Sequence, residues 1–250
     1  MRAVVLAAGF GTRLGALGED RPKGLLPVAG SPAIEFAVRA AEAVPSVSAI
    51  DVVTNARFHG AFAAWAEGRA HAKPFRLWND GARHAGERRG AIGDLLWWRS
   101  EARPEEDPLV LAADNVFDFP LAPLAERARH APVLALCDVG TRERVSRLAS
   151  VELDADGRVV RLIEKDPAPS GTLAVVALYG LPRSALGELD AYAAAGGKPD
   201  NLGYFAEWLH RRRAVHGLVM PGRFVDIGTP EDHARASEIF GAREGRRPVL

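Results

Sequence analysis

Short apolar runs rich in β-branched residues alternate with helical patterns in the first half of the chain. The runs that predict strands are residues 1–8, 49–54, 75–78 and 108–113. Alanine-rich or amphipathic segments with helical spacing lie between and after them, at residues 33–43, 59–68 and 93–100. This alternation predicts an α/β fold, a Rossmann-like three-layer α/β/α arrangement whose mixed sheet is mostly parallel.

The second half of the chain has a different pattern. Two strands at 150–154 and 159–164 flank Asp156-Gly157, which is a good hairpin turn. Further elements are predicted as a strand at 173–181, helices at 184–195 and 204–213, a strand at 215–220 and a helix from Pro230. No repeat, low-complexity tract or linker interrupts the chain, so residues 1–250 are predicted to form a single domain.

Composition indicates a soluble α/β protein without a nucleic-acid or membrane partner. The 250 residues are 48% hydrophobic and 26% charged, and Lys+Arg and Asp+Glu are both 32. The charge is therefore balanced, and no net field recruits nucleic acid or an anionic membrane. No apolar stretch approaches the ~18 residues of a membrane span, and the first residues do not resemble a signal peptide. With one cysteine, Cys137, no internal disulfide can form. We expect a cytoplasmic protein.

The segment after the first strand has the chemistry of a phosphate-binding loop. Gly9 and Gly11 let backbone N–H groups approach an anion closely, because no Cβ is in the way. Thr12 adds a hydroxyl group, Arg13 a planar guanidinium group and Lys23 a compact ammonium group. Together these groups could hold a triphosphate. The alternative is an ordinary βα turn with a solvated arginine and lysine.

Two common phosphate loops do not fit this segment. A P-loop needs a lysine directly after its last glycine, and none follows Gly11. A dinucleotide fingerprint, as in an NAD-dependent oxidoreductase, needs a third glycine where Leu14 stands.

The two elements L-A-A-G-F-G-T-R-L and R-P-K-G-L-L-P-V together resemble the opening signature of the sugar-1-phosphate nucleotidyltransferases. The resemblance implies a fold of the nucleotide-diphospho-sugar transferase type, with an NTP and a sugar 1-phosphate as substrates. It implies that Arg13 and Lys23 are catalytic. It also assigns nucleotide binding to Leu6, Ala8, Gly9, Gly11, Thr12, Arg13 and Lys23. Bifunctional relatives carry a hexapeptide-repeat domain after the catalytic one, which we do not expect here.

Two aspartates are the candidate metal ligands. Asp114 follows a predicted buried strand, where a carboxylate can hold Mg²⁺ against phosphate oxygens. In the family the equivalent G-D-N supplies a metal ligand, although Ala113 stands here for the glycine. Asp226 lies in G-R-F-V-D-I-G-T-P, which is similar to the family's G-x-W-x-D-I-G-T-P with Phe224 for tryptophan. The resemblance implies Mg²⁺ bound by both, with Asp114 also at the nucleotide. The alternative for Asp226 is a turn role, and Asp118 is expected to cap the following helix.

The acceptor site is predicted around Glu164 and Lys165. This pair resembles the family's E-K-P element, in which glutamate binds sugar hydroxyls and lysine the sugar phosphate, but Asp166 is inserted before the proline. Two of only four lysines, beside 28 arginines, thus lie at motif positions. Asn115 and Tyr179 are the other residues that the resemblance assigns to the substrate.

Recognition of the base is less clearly encoded. Asn79 directly follows the strand predicted at 75–78, and Gly90 follows the polar loop after it. The resemblance compares these places with the base-reading amide and the glycine of thymidylyltransferases. Asn79-Asp80-Gly81 is also a good plain turn. Arg83, Arg88 and Arg89 either close over the triphosphate or form a solvated loop.

The sequence thus predicts a magnesium-dependent transfer of a nucleotidyl group from an NTP to a sugar 1-phosphate or a similar cyclitol phosphate. One alternative is a cytidylyltransferase for a non-sugar phosphate or phosphonate. Another is a non-catalytic subunit that senses nucleotide sugars. The nucleotide, the acceptor and the oligomeric state, including a homo-oligomer, are left open.

Overall fold

The structure of the protein is a computed structural model that describes residues 1–241. In chain order the strands are β1 (Arg2–Leu6), β2 (Pro27–Val28), β3 (Ser31–Pro32), β4 (Ala49–Thr54), β5 (Phe75–Asn79), β6 (Pro108–Ala112), β7 (Asn115–Phe117), β8 (Val133–Asp138), β9 (Ala149–Leu153), β10 (Val159–Glu164), β11 (Leu173–Gly180), β12 (His216–Val219) and β13 (Phe224–Asp226). The helices are α1 (Ala16–Glu19), α2 (Ile34–Glu42), α3 (His59–Glu67), α4 (Gly90–Ala102), α5 (Ala122–Arg127), α6 (Arg142–Val145), α7 (Gly187–Ala194), α8 (Leu202–His210) and α9 (Pro230–Gly241).

Nine of these strands form one twisted sheet. Its order is β10-β9-β11-β6-β1-β4-β5, and β8 pairs with β11 and with β12. The strands β1, β4, β5, β6, β8, β9 and β12 run in the same direction, and only β10 and β11 run against them. The predicted mostly parallel mixed sheet is confirmed.

Both faces of the sheet are covered by helices, which explains the continuous apolar runs of the strands. On β1, Ala3 and Val5 contribute to one core and Val4 to the other, as the two-residue period of a strand requires. Helices α2, α3 and α5 pack on the first face, and α4, α7 and α8 on the second. The three-layer arrangement is therefore confirmed.

Some helices begin at other residues than predicted, because polar side chains or glycines outside the apolar pattern determine where a helix begins. The helix predicted from residue 93 begins at Gly90, and the helix predicted from 204 begins at Leu202. The second start is set by Asn201, whose side-chain oxygen accepts a hydrogen bond from the Gly203 amide. Between 184 and 195, a short 3₁₀ turn (Arg183–Ala185) precedes α7.

A small antiparallel ribbon of β7 and β13 was not predicted from the sequence. Asp226 lies opposite Asn115 in its register, and Phe224 opposite Phe117. Helix α9 starts directly after it, where Thr229 and Asp232 exchange hydrogen bonds between their side chains and backbone amides. The ribbon thus brings a late segment of the chain against the end of β6.

Residues 1–241 fold around the one main sheet, and residues 242–250 of the predicted domain lie outside the described residues. Within the described part, no helix combines the length and the apolar character needed to cross a membrane.

Candidate active site

The loop after β1 forms one wall of an open cleft of about 280 Å³. Gly11 has a φ of +63°, which favours glycine, and a Cβ there would lie 3.1 Å from Lys23 Cγ. Gly9 is exposed, and a Cβ at Gly9 would meet open space. The predicted residues that line this cleft are Leu6, Ala8, Gly9, Gly11, Thr12, Arg13, Lys23, Gly90 and Asp114. All the predicted nucleotide-binding residues except Asn79 therefore surround one space.

Lys23 and Asp114 form an ion pair on the wall of this cleft. Both side chains are largely buried, with 14% and 25% of their surface exposed. Burial by itself lowers the pKa of the Lys23 ammonium, but the nearby Asp114 and Asp226 outweigh it and raise the pKa. The lysine is therefore protonated and places a positive charge beside the glycine loop.

The β7–β13 ribbon places Asp226 next to Asp114. The Ile227 amide donates to the Asp114 carbonyl oxygen at 3.0 Å. Asn115 Nδ2 donates to Asp226 Oδ1 at 3.2 Å and, more weakly, lies 3.4 Å from Asp114 Oδ1. Burial, and secondarily the charge of Asp114, raises the pKa of Asp226 to about 7. Two carboxylates so close together repel each other, and a bound cation would relieve that repulsion.

The donor set at this point fits a magnesium ion. Among the described residues no group of three or more His, Cys, Asp or Glu side chains could hold a metal. Mg²⁺ does not require one, since it is usually held by one or two carboxylates together with water and substrate phosphates. Asn115 Oδ1 is buried beside the two carboxylates and accepts no hydrogen bond from any residue that the structure describes. Asp114 and Asp226 are therefore suited to a hard cation that also contacts phosphate.

Glu164 and Lys165 lie at the end of β10 and outside this cleft. Glu164 is buried, and its Oε1 accepts a hydrogen bond from Asn201 Nδ2 at 2.6 Å. Burial raises the pKa of Glu164 to about 7, and the neighbouring Lys165 opposes the shift. Lys165 is exposed and has a φ of +54°, an unusual backbone conformation for a lysine. Such local strain is frequent at ligand-binding positions.

Asp166, the insertion in the E-K-P element, anchors the loop. Its side chain accepts hydrogen bonds from Ser150 Oγ at 2.6 Å, Arg161 Nη2 at 3.0 Å and the Ala168 amide at 3.0 Å. The Lys165 amide donates to the Leu148 carbonyl oxygen at 2.7 Å. The inserted residue thus fixes the course of the loop that carries Lys165.

Three further predicted residues, Asn79, Asn115 and Tyr179, do not line the cleft. Asn79 Oδ1 accepts a hydrogen bond from the Gly81 amide at 3.0 Å, which is the geometry of the plain turn. Tyr179 is buried in the core with Leu134, and Asn115 is buried in the ribbon. Asp118 accepts hydrogen bonds from Arg223, while Leu121 occupies the N-cap of α5. The roles of Asn79 and Tyr179 in substrate binding stay predictions.

Several residues that line or support the site were not assigned from the sequence. Asp200 lines the cleft and forms an ion pair of 3.0 Å with Arg88. Arg88, for which closure over the triphosphate and a solvated loop were both predicted, also lines the cleft. Asn201, which belongs to a segment noted only for its aromatic residues, holds Glu164. A Cβ on Gly203 would lie 1.9 Å from Glu164 Oε2, so a side chain there would displace the Glu164 carboxyl group. Side-chain partners this distant in the chain leave no local signal in the sequence.

Asp94 also lines the cleft, and its carboxyl group faces that of Asp80. Both residues are buried, and among residues 1–241 Asp94 Oδ1 and Asp80 Oδ2 have no hydrogen-bond partner. Burial and the neighbouring Asp80 raise the pKa of Asp94 to about 8. One of the two carboxyl groups therefore holds a proton at neutral pH.

Comparison with known proteins agrees with this arrangement. The profile of the nucleotidyl transferase family matches residues 2–242. The chain is 26% identical over 246 residues to the UTP–glucose-1-phosphate uridylyltransferase of Haloferax volcanii, covering 95% of this chain and 96% of the relative. It is 25% identical over 242 residues to the bifunctional protein GlmU of Methanococcus maripaludis, covering 96% of this chain. The chain spans about half of that relative's length, at 54%.

Solved structures have the same fold. A Bacillus anthracis structure solved with sucrose superposes with a TM-score of 0.81 at 20% identity, over 100% of this chain and 98% of that chain. A UDP-glucose pyrophosphorylase without ligand superposes with a TM-score of 0.78 at 19% identity, over 98% and 99%. The chain therefore belongs to the nucleotidyl transferase family.

Proposed function

We propose that the protein transfers the nucleotidyl group of an NTP to a sugar 1-phosphate, or to a similar cyclitol phosphate, and releases pyrophosphate. The observation that carries this proposal is the convergence of the glycine loop, Lys23 and Asp114 around one cleft, with Asp226 held next to Asp114 by Asn115. The named activities of the relatives from Haloferax volcanii and Methanococcus maripaludis support the same class of reaction.

The reaction needs positioning and charge neutralisation more than covalent chemistry. An oxygen of the acceptor phosphate attacks the α-phosphorus in line, the bond from the α-phosphorus to the bridging oxygen breaks, and pyrophosphate leaves. Arg13 and the backbone of the loop at Gly9 and Gly11 hold the leaving phosphates. Lys23 neutralises the charge that develops on the α-phosphate. No covalent enzyme intermediate is required.

Asp114 and Asp226 would hold Mg²⁺, whose chemistry here is to neutralise phosphate charge and to orient the phosphate oxygens. In the cleft, Lys23 compensates part of the charge of Asp114. The buried Asn115 keeps Asp226 turned toward Asp114 through its hydrogen bond of 3.2 Å.

Glu164 and Lys165 would bind the acceptor. Lys165 offers its ammonium to the acceptor phosphate, and its fixed backbone limits the positions that this charge can take. Glu164 Oε1 accepts a hydrogen bond from Asn201, which orients the carboxyl group that would bind a hydroxyl group of the acceptor.

The test is pyrophosphate release over a matrix of the five common NTPs and a panel of acceptors, with Mg²⁺ and with a chelator. The panel includes hexose 1-phosphates, a cyclitol phosphate, phosphocholine and a phosphonate. We expect release with at least one sugar or cyclitol phosphate, and only with the metal. Release confined to CTP with a non-sugar acceptor would overturn the proposal in favour of a cytidylyltransferase. Nucleotide-sugar binding without release under any condition would identify a sensing subunit instead.

A further inference from the structure

A second cavity of about 350 Å³ lies beside Asp226 and has no role in the function proposed so far. Asp226 lines this cavity, whereas Asp114 lines the nucleotide cleft. Leu148 also lines it, and the Leu148 carbonyl oxygen accepts the hydrogen bond from the Lys165 amide. The cavity therefore borders both a proposed metal ligand and the loop proposed to bind the acceptor phosphate.

Two arginines that line this cavity have no acidic partner. Arg144, on the short helix α6, donates through Nη1 to the Val139 carbonyl oxygen at 3.3 Å and forms no ion pair within the described residues. Arg235, on α9, is half-buried and forms neither a hydrogen bond nor an ion pair with any residue of the described part. Burial lowers the pKa of the Arg235 guanidinium, and the charge of Arg144 lowers it further. Two like charges thus face each other across one space.

The acidic groups around the cavity are engaged elsewhere. Glu143 pairs with Arg147 at 2.9 Å. Asp232 accepts hydrogen bonds from the amide and the hydroxyl of Thr229, and its charge acts on Arg235 only from beyond ion-pair distance. Asp226 is held by Asn115, and Glu231 is fully exposed at the start of α9. Within the described residues, neither arginine therefore forms an ion pair with a carboxylate, and both keep donors that the protein does not use.

Guanidinium groups with free donors are the preferred protein partners of carboxylates and phosphates, because the planar fork matches two oxygens at once. An anion that bridged Arg144 and Arg235 would remove their mutual repulsion and use donors that the protein leaves unpaired. A neutral hydroxyl group could accept a single hydrogen bond but would leave the charge uncompensated.

We propose that this cavity binds a second anionic group of the acceptor, a carboxylate or a further phosphate, located away from the phosphate that reacts. The inference rests on the proposed function and narrows its acceptor class to sugar or cyclitol phosphates that carry this additional negative charge. Arg144 and Arg235 are the residues that contact the group. Asp226, the proposed metal ligand, lines the side of the cavity nearest to the reacting phosphates.

The experiment compares acceptors that differ only in the second group. Glucose 1-phosphate, glucuronic acid 1-phosphate and glucose 1,6-bisphosphate are assayed with each NTP, and kcat/KM is measured from pyrophosphate release. We expect at least one anionic acceptor to exceed glucose 1-phosphate by about tenfold or more, because an unpaired charged donor pair discriminates strongly. Comparison of glucuronic acid 1-phosphate with glucose 1,6-bisphosphate tells whether the cavity prefers a carboxylate or a second phosphate.

Variants connect this preference to the cavity. Arg144→Gln and Arg235→Gln, singly and together, should bring the ratio of kcat/KM between anionic and neutral acceptors close to one, mainly through the KM of the anionic acceptor. The matched control is Arg142→Gln, which changes an exposed arginine on the same helix that does not line the cavity, and it should keep the wild-type ratio.

Each outcome is decisive. Equal kcat/KM for neutral and anionic acceptors in the wild-type enzyme overturns the inference and leaves the proposed function in place. A preference that persists in the double variant also overturns it, because the charge would then be recognised elsewhere. Absence of release with every sugar phosphate overturns the proposed function itself, and the inference with it.

Discussion

At the scale of single residues, the two candidate metal ligands give the sharpest prediction. Asp114→Asn and Asp226→Asn each remove a charge that the phosphate-bound cation needs, and neither change alters side-chain size. We expect kcat to fall by about 10²-fold or more in each variant, at ~1.4 kcal/mol of barrier per decade. Asp138→Asn, at the exposed end of β8, is the control. Turnover near the wild-type value in both variants at saturating Mg²⁺ would contradict the assignment.

The two motif lysines should differ in the kinetic constant that they affect. Lys23 contacts Asp114 in the nucleotide cleft, so Lys23→Ala should lower kcat, because its contact strengthens as the α-phosphate is attacked. Lys165 lies on the acceptor loop, so Lys165→Ala should mainly raise the acceptor KM and leave the NTP KM nearly unchanged. Initial rates with each substrate varied separate these effects. Lys23→Arg and Lys165→Arg test whether the compact ammonium group of lysine is needed, because a guanidinium group is larger. Full activity of both variants would show that it is not.

The raised pKa of the Asp94 carboxyl group predicts that the stability of the protein depends on pH. This pKa is raised to about 8 in the folded protein from 3.8, so the folded state keeps a proton that the unfolded state has lost. The free energy of unfolding contributed by this group therefore decreases as the pH rises from about 4 to about 8, by at most ~1.4 kcal/mol per pH unit. Asp94→Asn has no proton to lose, and its amide can donate to Asp80.

Thermal unfolding of wild type and Asp94→Asn between pH 5 and pH 8 measures this effect. We expect the variant to be more stable at pH 8, by roughly 5 °C in Tm, and the gap to shrink toward pH 5. The exposed Asp156→Asn serves as the control, with a difference from wild type that does not change with pH. A constant gap for Asp94→Asn would show that the buried pair does not share a proton.

At the scale of elements, the start of helix α4 depends on one glycine. Gly90 has a φ of +77°, and a Cβ there would lie 2.5 Å from the Pro199 carbonyl oxygen, which also accepts a hydrogen bond from the Ile92 amide. Helix α4 and the loop before α8 thus meet at the cleft without space for a side chain. The closeness of these two elements explains why Gly90 and Asp200 line the same cleft.

Gly90→Ala should therefore displace this contact and raise the NTP KM by about tenfold or more, since small displacements of positioning groups have large effects. Titration of the NTP at saturating acceptor gives the value. Gly86→Ala is the matched control in the preceding loop, because its Cβ would meet only the His84 side chain, at 3.3 Å. An unchanged KM in Gly90→Ala would mean that the loop adapts freely.

The elements were predicted well where their apolar pattern is continuous. Strands β4, β5 and β6 and helices α2 and α3 lie within one or two residues of the predicted ranges. The β7–β13 ribbon was missed, because Asn115–Phe117 and Phe224–Asp226 have three residues each and show no periodicity of their own. Their pairing comes from packing beneath α9, where Val116 and Val225 are buried with Phe240.

At the scale of the whole molecule, the reversed strand β11 joins the two parts of the sheet. Gly180 lies opposite Leu109 of β6 and Val133 of β8. A Cβ at Gly180 would lie 2.4 Å from Ala128 Cβ and 2.9 Å from Val133 Cγ1. The segment after α5 therefore packs directly on the backbone of β11 at this position.

Gly180→Ala should lower the free energy of unfolding by about 1–3 kcal/mol through overpacking of this junction. Chemical denaturation checks the value, with kcat measured in parallel on the folded enzyme. Gly187→Ala is the control, because a Cβ there meets no atom within 4 Å. Equal stability of the two variants would contradict the tight packing at Gly180.

The sequence by itself determined the α/β class, most of the elements, the phosphate loop and the family motifs in their order. These features are local, since apolar period, glycine positions and short motifs are read within a few residues. The motifs implied that Asp114 and Asp226 lie together, but only the tertiary structure decided that the β7–β13 ribbon pairs their segments. It alone also decided that Asn201 holds Glu164 and that Arg144 and Arg235 line one cavity. Each of these pairs joins residues far apart in the chain, and their proximity depends on strand order and helix packing. No local pattern encodes those arrangements, because they arise from the packing of the whole sheet and its two helical layers.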